Sequence, residues 1–276
     1  MQNNKKPLIS VLMGVYYRRE DLYLLKRSVE SVLKQTFTDF ELLICDDGST
    51  EAAIEYLNGL ASQDCRVKLI RRGNLFSLPQ KLNACLECSN STYIARMDDD
   101  DFSHPERFAD QLSFLAEQPE IAFVGSNVNL WRDGAVVGSR ILAEYPSVRD
   151  FYFVQPYIHP ALMFRREVLV AVAGYSEEKH AVLCEDYDLL LRLYAAGYQG
   201  ANLQKCLLDY AIPATAKGNR KMKHRWNEAV TRWKRFKELG CLRSAFPYVV
   251  KPLVVGLVPE RLLGALKARR GSGVRK

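Results

Sequence analysis

Three features of the N-terminal half predict an α/β fold with a mostly parallel sheet. Strand-like and helix-like segments alternate four times, the pattern of βαβ units. The first strand candidate, Leu8–Val15, is apolar along nearly its whole length, as a strand covered on both faces must be. Two other strand candidates end abruptly in acids, at Asp46-Asp47-Gly48-Ser49 and at Asp98-Asp99-Asp100-Asp101. Right-handed crossovers bring both ends to one edge of the sheet, where open α/β sheets take their ligands.

After Leu8–Val15, the residues Leu22, Leu25, Val29, Val32 and Leu33 recur at helical spacing and predict an amphipathic helix over Asp21–Lys34. Phe40–Cys45 is the second strand, followed by a helix over Glu51–Ala61 and a third strand at Val67–Arg71. A looser stretch, Arg72–Pro79, leads into a helix around Gln80–Glu87 and then to the strand from Tyr93 that runs into the aspartates. Beyond it the rhythm changes. A helix is expected over Pro105–Gln118, then short strands at Ile121–Val124, Asn127–Trp131 and Val136–Ile141, with Asp133-Gly134 as a hairpin turn. Pro156, His159 and Pro160 mark an irregular loop before the apolar Ala161–Phe164, and the next helix ends at Gly174-Tyr175. Cys184–Leu193 combines an acidic first turn with an apolar stripe, the pattern of a helix opening with carboxylates.

The 276 residues are 48% hydrophobic, enough to bury a full core in one large domain or in one domain with an extension. Seven cysteines without regular spacing argue against a disulfide framework and for a reducing, cytoplasmic compartment. Cys85 and Cys88 form a lone CxxC with no second pair to complete a metal site. Lys5-Lys6 before Leu8–Val15 mimics a signal peptide, but the apolar run is short and no small-residue cleavage site follows. No segment has the length of a membrane span. The net charge of +7 is unevenly spread: residues 217–276 hold 17 Lys/Arg against 3 Asp/Glu, and residues 1–216 are mildly acidic. The chain thus divides into a mildly acidic body, 1–216, and a basic tail, 217–276.

Four like charges at a strand end repel one another and require compensation. A divalent cation, Mn²⁺ or Mg²⁺, supplies it through hard oxygen ligands, sharing one or two carboxylates with substrate phosphates. The competing reading is a solvated turn in which Ser103 and Glu106 form a capping box and Pro105 opens the next helix. Glycine-rich phosphate loops of the GxGxxG and GxxxxGK[ST] types are absent, so a bound nucleotide has to be held through metal. Asp46-Asp47-Gly48 serves either as a turn or as a carboxylate accepting from a base N–H or a ribose hydroxyl. Glu185 and Asp186 either complement a helix dipole or supply a general base. His159 is open between metal ligand, acceptor contact and structural residue.

Taken in order, Pro7–Val11, Val15-Tyr16, Ser28–Phe37, Phe40–Ile44, Asp46–Thr50, Tyr93–Asp101, His104–Arg107 and Glu185-Asp186 closely resemble glycosyltransferase family 2 over roughly residues 7–212. Two departures are Gly14, where proline or threonine is common, and Asp99, at a usually small position. The resemblance implies a GT-A fold, a Rossmann-like nucleotide-binding half joined to an acceptor half. It also implies an inverting transfer from a nucleotide-sugar donor, UDP-hexose above all, to a hydroxyl of a glycan or lipid-linked oligosaccharide acceptor in cell-surface polysaccharide, O-antigen or capsule assembly. By the same resemblance, Val15, Tyr16 and Asp47 meet the base, and Asp98 and Asp99 belong to the nucleotide site. Asp98 and Asp100 hold Mn²⁺ or Mg²⁺, and Asp186 is the general base. Glu185 and His159 are further candidates on the acceptor side, and Arg71, Arg72 and Lys81 are candidates for the diphosphate.

In the tail, Met222, Trp226, Val230, Trp233 and Phe236 recur every three to four residues among lysines and arginines, which predicts a basic amphipathic helix. Phe246–Val258 is a second apolar block, broken by Pro252, and Leu262–Leu266 with Lys267–Arg270 repeats the theme. Such helices either dock on the catalytic unit or attach the protein peripherally to the anionic inner face of the cell membrane. Two other functions compete. A sugar nucleotidyltransferase would need a glycine-rich basic loop near the N-terminus, which is lacking. A nucleic-acid-binding protein would use the tail but leave three acidic clusters without purpose, so no nucleic-acid partner is expected.

Overall fold

The computed structural model describes residues 6–73, 77–213 and 221–257. Its first half follows the predicted alternation: β1 (Ile9–Val15), α1 (Tyr23–Leu33), β2 (Phe40–Asp46), α2 (Glu51–Gln63), β3 (Val67–Ile70), α3 (Leu78–Cys88) and β4 (Tyr93–Arg96). β1 lies between β2 and β4, β2 also pairs with β3, and all three ladders are parallel. Six of the seven β1 residues are buried because helices cover both faces of this part of the sheet. Successive side chains point to opposite faces. Val11, Met13 and Val15 pack with Leu25, Val29 and Phe108, and Leu12 packs on the other face with Leu43, Leu82 and Leu190.

A two-residue strand, β5 (Phe102–Ser103), follows the aspartates and precedes α4 (Arg107–Glu117). It displaces the capping box expected there. Pairing with a later strand holds Ser103 extended, its hydroxyl accepts from Gln35, and the Glu106 carboxylate accepts from Thr36. The capping box lies instead at the start of α3, between Ser77 and Gln80.

The remaining elements are β6 (Ile121–Arg132), β7 (Ala135–Arg140), α5 (Asp150–Phe153), β8 (Met163–Arg165), α6 (Arg166–Ala171), α7 (Glu185–Ala195) and β9 (Gln199–Ala211). The two strands expected within 121–131 are one long strand, because Ser126 and Asn127 stay buried within the ladder and irregularities against β9 absorb the break in apolar pattern. Asp133 and Gly134 both have positive φ, 51° and 89°, as a two-residue hairpin between β6 and β7 requires. The described residues form one nine-stranded sheet in the order β3-β2-β1-β4-β8-β6-β9-β5, with β7 on β6. Beyond β4 the sheet is mixed, since β8 runs antiparallel to both β4 and β6.

α8 (Met222–Glu238) and α9 (Leu242–Leu257) form a helical pair that packs on α7 and α5. The 216/217 boundary and the 262–270 segment lie outside the described residues. α8 docks through a face richer in polar groups than the apolar periodicity suggested. Arg235 Nε donates to the fully buried Asp188 at 2.8 Å, Arg232 to the Tyr152 carbonyl at 2.9 Å, and Thr231 to the His180 carbonyl at 2.9 Å. Of the predicted apolar seam, Phe236 is buried, whereas Trp226 and Trp233 are 60% and 46% exposed.

Breaking a buried ion pair leaves a desolvated charge, at a cost of about 3–5 kcal/mol. Arg192 also holds Asp188, at 2.8 Å, which favours the lower end of that range for Arg235→Ala. Urea denaturation is expected to show a loss of about 3 kcal/mol, with little loss in Lys237→Ala on the exposed side. Equal stability of Arg235→Ala and the unmodified protein would remove this anchor.

Candidate active site

The C-terminal ends of β1, β2 and β4 meet at one cleft. Tyr16, Asp47, Lys81, Asp98 and Asp99 line it, so four of the five nucleotide-site residues expected from the sequence are part of it. Val15 is not among the lining residues: its side chain is in the core, and its carbonyl accepts from the buried Lys81 ammonium at 2.7 Å. Lys81 also lies 5.1 Å from the centre of the exposed Tyr16 ring. Gly14 allows this approach, because a Cβ there would stand 2.8 Å from Leu78 Cδ1 and 3.3 Å from Lys81 Cβ. After β2, Ser49 engages Asp46 and also accepts from the Tyr17 amide at 2.8 Å. Asp47 is thereby the member of that acidic pair that faces the cleft. Arg71 is bonded to Asn58 and Arg72 to Glu87, and neither is among the residues lining this cleft.

The four aspartates occupy different environments. Beneath them lies Arg96, 1% exposed, whose guanidinium donates to the Asp98 carboxylate and to the carbonyls of Met97 and Leu12. Burial, reinforced by Asp100 and Asp98, pushes the Asp99 carboxyl up to about 7, against a hydrogen bond from the Tyr16 amide. Burial and Asp98 also raise Asp100, whose Oδ2 lies 3.9 Å from Arg19 and which lines a neighbouring cleft beside Trp131. Asp101 is fully buried, accepts from the Ala211 amide at 2.7 Å and is held well above the carboxylate range by burial. It fastens β9 to the end of β4.

Asp98 also lines a second cleft of about 570 Å³, together with His159, Glu185, Asp186 and Tyr210. Asp186 Oδ2 accepts from Gln155 Nε2 at 2.9 Å, and its Oδ1 from the Tyr187 amide at 2.7 Å. Glu185, in the first turn of α7, is raised to about 7 by burial and by Asp186. His159 is buried, with Nε2 2.8 Å from the Tyr175 hydroxyl; burial and the Arg96 charge hold its pKa well below the usual histidine value, so the ring is neutral. Asp188, the third acid of this turn, is consumed by Arg192 and Arg235 and serves the fold.

Arg96, Gln155 and Tyr210 were not singled out from the sequence. Arg96 alone gave a signal, as a charge inside an otherwise apolar strand immediately before the acids. Among the described residues no three His, Cys, Asp or Glu side chains are placed to hold an ion by themselves. The hard oxygens of Asp98, Asp99 and Asp100, the last two pushed towards the protonated form by burial and by their acidic neighbours, fit a Mn²⁺ or Mg²⁺ ion that completes its shell from water and phosphate.

The family model described as glycosyl transferase family 2 matches residues 10–171. The chain is 30% identical to EpsE of Bacillus subtilis (strain 168) over 268 residues, 97% of this chain and 95% of that protein. It is 32% identical to the O-antigen biosynthesis glycosyltransferase WbnJ of Escherichia coli over 212 residues, 74% and 80% of the two chains. Among solved structures, S. aureus TarS 1-349 in complex with UDP-GlcNAc superposes with a TM-score of 0.66 at 16% identity, covering 88% of this chain and 72% of that one. The mannosyltransferase PcManGT from Pyrobaculum calidifontis, in complex with GDP-Man and Mn²⁺, gives 0.63 at 15% identity, covering 99% and 82%. At these identities the structural likeness establishes the fold, which is GT-A.

A carboxyl raised in the folded state stabilises the fold while protonated, and that contribution is lost as pH rises from the ordinary value, 3.8 for Asp99, through about 7. Above pH 7 the ionised cluster is what a divalent ion relieves. Mn²⁺ is therefore expected to raise the melting temperature more at pH 8 than at pH 6, and Asp99→Asn to raise the metal-free value at pH 8. Thermal scans check both, and an equal Mn²⁺ effect at the two pH values would contradict the assignment.

Proposed function

The chain belongs to glycosyl transferase family 2, and from that premise we propose a metal-dependent, inverting enzyme acting on a nucleotide-diphosphate sugar, with UDP-hexose as the leading donor. It transfers the hexosyl group to a hydroxyl of a glycan acceptor, carried on lipid, in the assembly of a cell-surface polysaccharide such as O-antigen or capsule. The observation that carries the reading is the position of Asp98, which lines both the cleft of Tyr16, Asp47 and Lys81 and the cleft of Asp186. A donor in the first cleft would thus present its sugar to an acceptor in the second. The WbnJ relative and the nucleotide-sugar complexes of TarS and PcManGT support the donor class and the pathway type.

In this reading Tyr16 stacks on the base and Asp47 accepts from it, with the Val15 backbone behind. Lys81 stands beside the diphosphate; Arg71 and Arg72, engaged elsewhere, are left out. Asp98 and Asp100 would hold Mn²⁺ or Mg²⁺, with Asp99 supporting the nucleotide site, and Asp100 would have to turn from Arg19 to do so. The bound ion supplies stabilisation of the negative charge on the departing nucleoside diphosphate. Asp186 takes the proton of the acceptor hydroxyl as that oxygen attacks the anomeric carbon, and the bond from that carbon to the diphosphate oxygen breaks on the opposite side. One displacement inverts the centre, so an α-linked donor gives a β-glycoside. Gln155 keeps one Asp186 oxygen fixed.

We also assign the protein to the cytoplasmic face of the cell membrane, as a peripheral component. The exposed Trp226, Trp233 and Phe246, with Lys223 and Lys237 on the exposed side of α8, support attachment to an anionic surface. Among the described residues no helix is long and apolar enough to cross a membrane.

Asp186→Asn is expected to lower transfer by roughly 10²–10⁴-fold while keeping metal-dependent nucleotide binding. Calorimetric titration with UDP, GDP, dTDP and CMP, with Mn²⁺ or with EDTA, identifies the nucleotide; one diphosphate should bind tightly, and Asp100→Ala should lose it. Metal-independent binding, or loss of binding in Asp186→Asn, would overturn these roles. For the membrane surface, Trp226→Ser with Trp233→Ser should abolish cosedimentation with vesicles containing phosphatidylglycerol while leaving nucleotide binding intact. Unchanged sedimentation would exclude this face.

A further inference from the structure

The Asp186 cleft has two chemically different ends. Asp98, Glu185 and Asp186 make the inner end acidic, whereas Arg140 and Lys251 enter the outer end from β7 and α9. Both cations reach the same short segment: Arg140 Nη2 donates to the Gln155 carbonyl at 3.1 Å, and Lys251 Nζ to the Phe153 carbonyl at 2.7 Å. The two cations are thus tied to carbonyls only two residues apart, at most about 7 Å from one another, and both line the same cleft.

The other charges of the cleft narrow the choice. Arg232 is already committed to Glu228, to the Tyr152 carbonyl and to the face of Tyr187, 4.7 Å from the ring centre. Arg140 has no carboxylate partner among the described residues, and burial lowers its pKa, opposed only by Tyr210. A partly desolvated guanidinium bonded to a carbonyl has unused donors in the planar fork that matches phosphate oxygens. Beside it the apolar Phe153 and Val154 are 52% and 50% exposed, with Lys251 Nζ 3.5 Å from the Phe153 ring centre.

We propose that this outer end is a phosphate subsite, in which Arg140 and Lys251 hold the phosphate oxygens of an amphiphilic acceptor and Phe153 and Val154 cover its adjoining hydrocarbon. The inference rests on the acceptor role proposed for this cleft and deepens it. The acidic inner end repels the phosphate, so the acceptor enters in one orientation, with its hydroxyl at Asp186 and its anion outward. The C-terminal helices would then complete the acceptor site through Lys251, besides docking on the fold.

The test uses the full chain in EDTA, which removes any metal-held binding of phosphate at the donor side. Farnesyl diphosphate, inorganic pyrophosphate and farnesol are titrated against intrinsic tryptophan fluorescence and by calorimetry. Farnesyl diphosphate should bind, pyrophosphate at least tenfold more weakly, and farnesol not measurably. Arg140→Gln and Lys251→Gln should each weaken farnesyl diphosphate at least tenfold, with Phe153→Ser acting on the lipid form but not on pyrophosphate. Mn²⁺-dependent nucleotide binding, unchanged in all three variants, serves as the control for folding. Equal affinity for pyrophosphate and farnesyl diphosphate would refute the amphiphile, and unchanged binding in Arg140→Gln and Lys251→Gln would refute the subsite. Failure of the unmodified protein to bind any nucleotide would sink the glycosyltransferase reading. Nucleotide binding without farnesyl diphosphate binding would sink only this inference.

Discussion

Arg96 is a guanidinium taken almost wholly out of water at the end of β4, and the site is arranged around satisfying it. An uncompensated charge at that depth would cost several kcal/mol. The Asp98 carboxylate and two backbone carbonyls compensate it, while the Arg96 amide is tied to the Leu162 carbonyl at 2.9 Å. The next layer is equally enclosed. Arg107, fully buried and lowered to about 9 by that burial, donates to the Arg96 carbonyl at 2.6 Å, and Gln111 reaches the Ala161 carbonyl at 2.7 Å. The end of β4 and the 161–162 segment are thereby fixed to one another through polar groups in the core. The same positive charge reaches Asp98 directly and disfavours protonation of His159, so one residue bears on both clefts.

The N-terminal half was legible because its strands are covered on both faces and end in charge. Such strands are apolar runs with sharp boundaries, and β1 to β4 lie within a residue or two of where the pattern puts them. β9 was not legible. Its sequence mixes Gln199, Asn202, Gln204 and Lys205 with apolar residues, and irregular pairing with β6 scrambles the period of two. That omission had consequences at the site, because β9 supplies the Ala211 amide that buries Asp101 and the Tyr210 ring that faces the acids. From sequence the four aspartates are one feature; in the fold they are one anchor, two cleft residues and one side chain turned towards Arg19. Gln155 gave no signal at all, since its role comes from a loop brought to α7 by the tertiary fold.

In the tail, periodicity identified a helix but not the face that docks. The apolar stripe was the natural candidate for burial, yet α7 presents Asp188, a buried carboxylate in need of cations, and α8 answers it with Arg235. Part of the excess basic charge is therefore internal structure. The aromatic stripe is left on the outside, where Trp233 and Phe246 pack edge to face across the α8–α9 pair. Docking and surface attachment had stood as alternatives, but a helix has two faces, and here the polar one is used inward.

Glu185 and Asp186 show why adjacency in sequence says little about role. Both open α7, and a helix N-terminus favours negative charge at either position. Their surroundings then separate them. Glu185 is desolvated beside a second carboxylate and rises to about 7, where it holds its proton through much of the neutral range. Asp186 has one oxygen on the Gln155 amide and the other on its own helix backbone, contacts that fix its direction into the cleft. The general base proposed for this cleft requires a defined direction, which these two contacts supply. The difference between the two is made by burial and hydrogen bonding, and the side-chain contact that orients Asp186 comes from the 153–155 segment, whose carbonyls accept from Arg140 and Lys251.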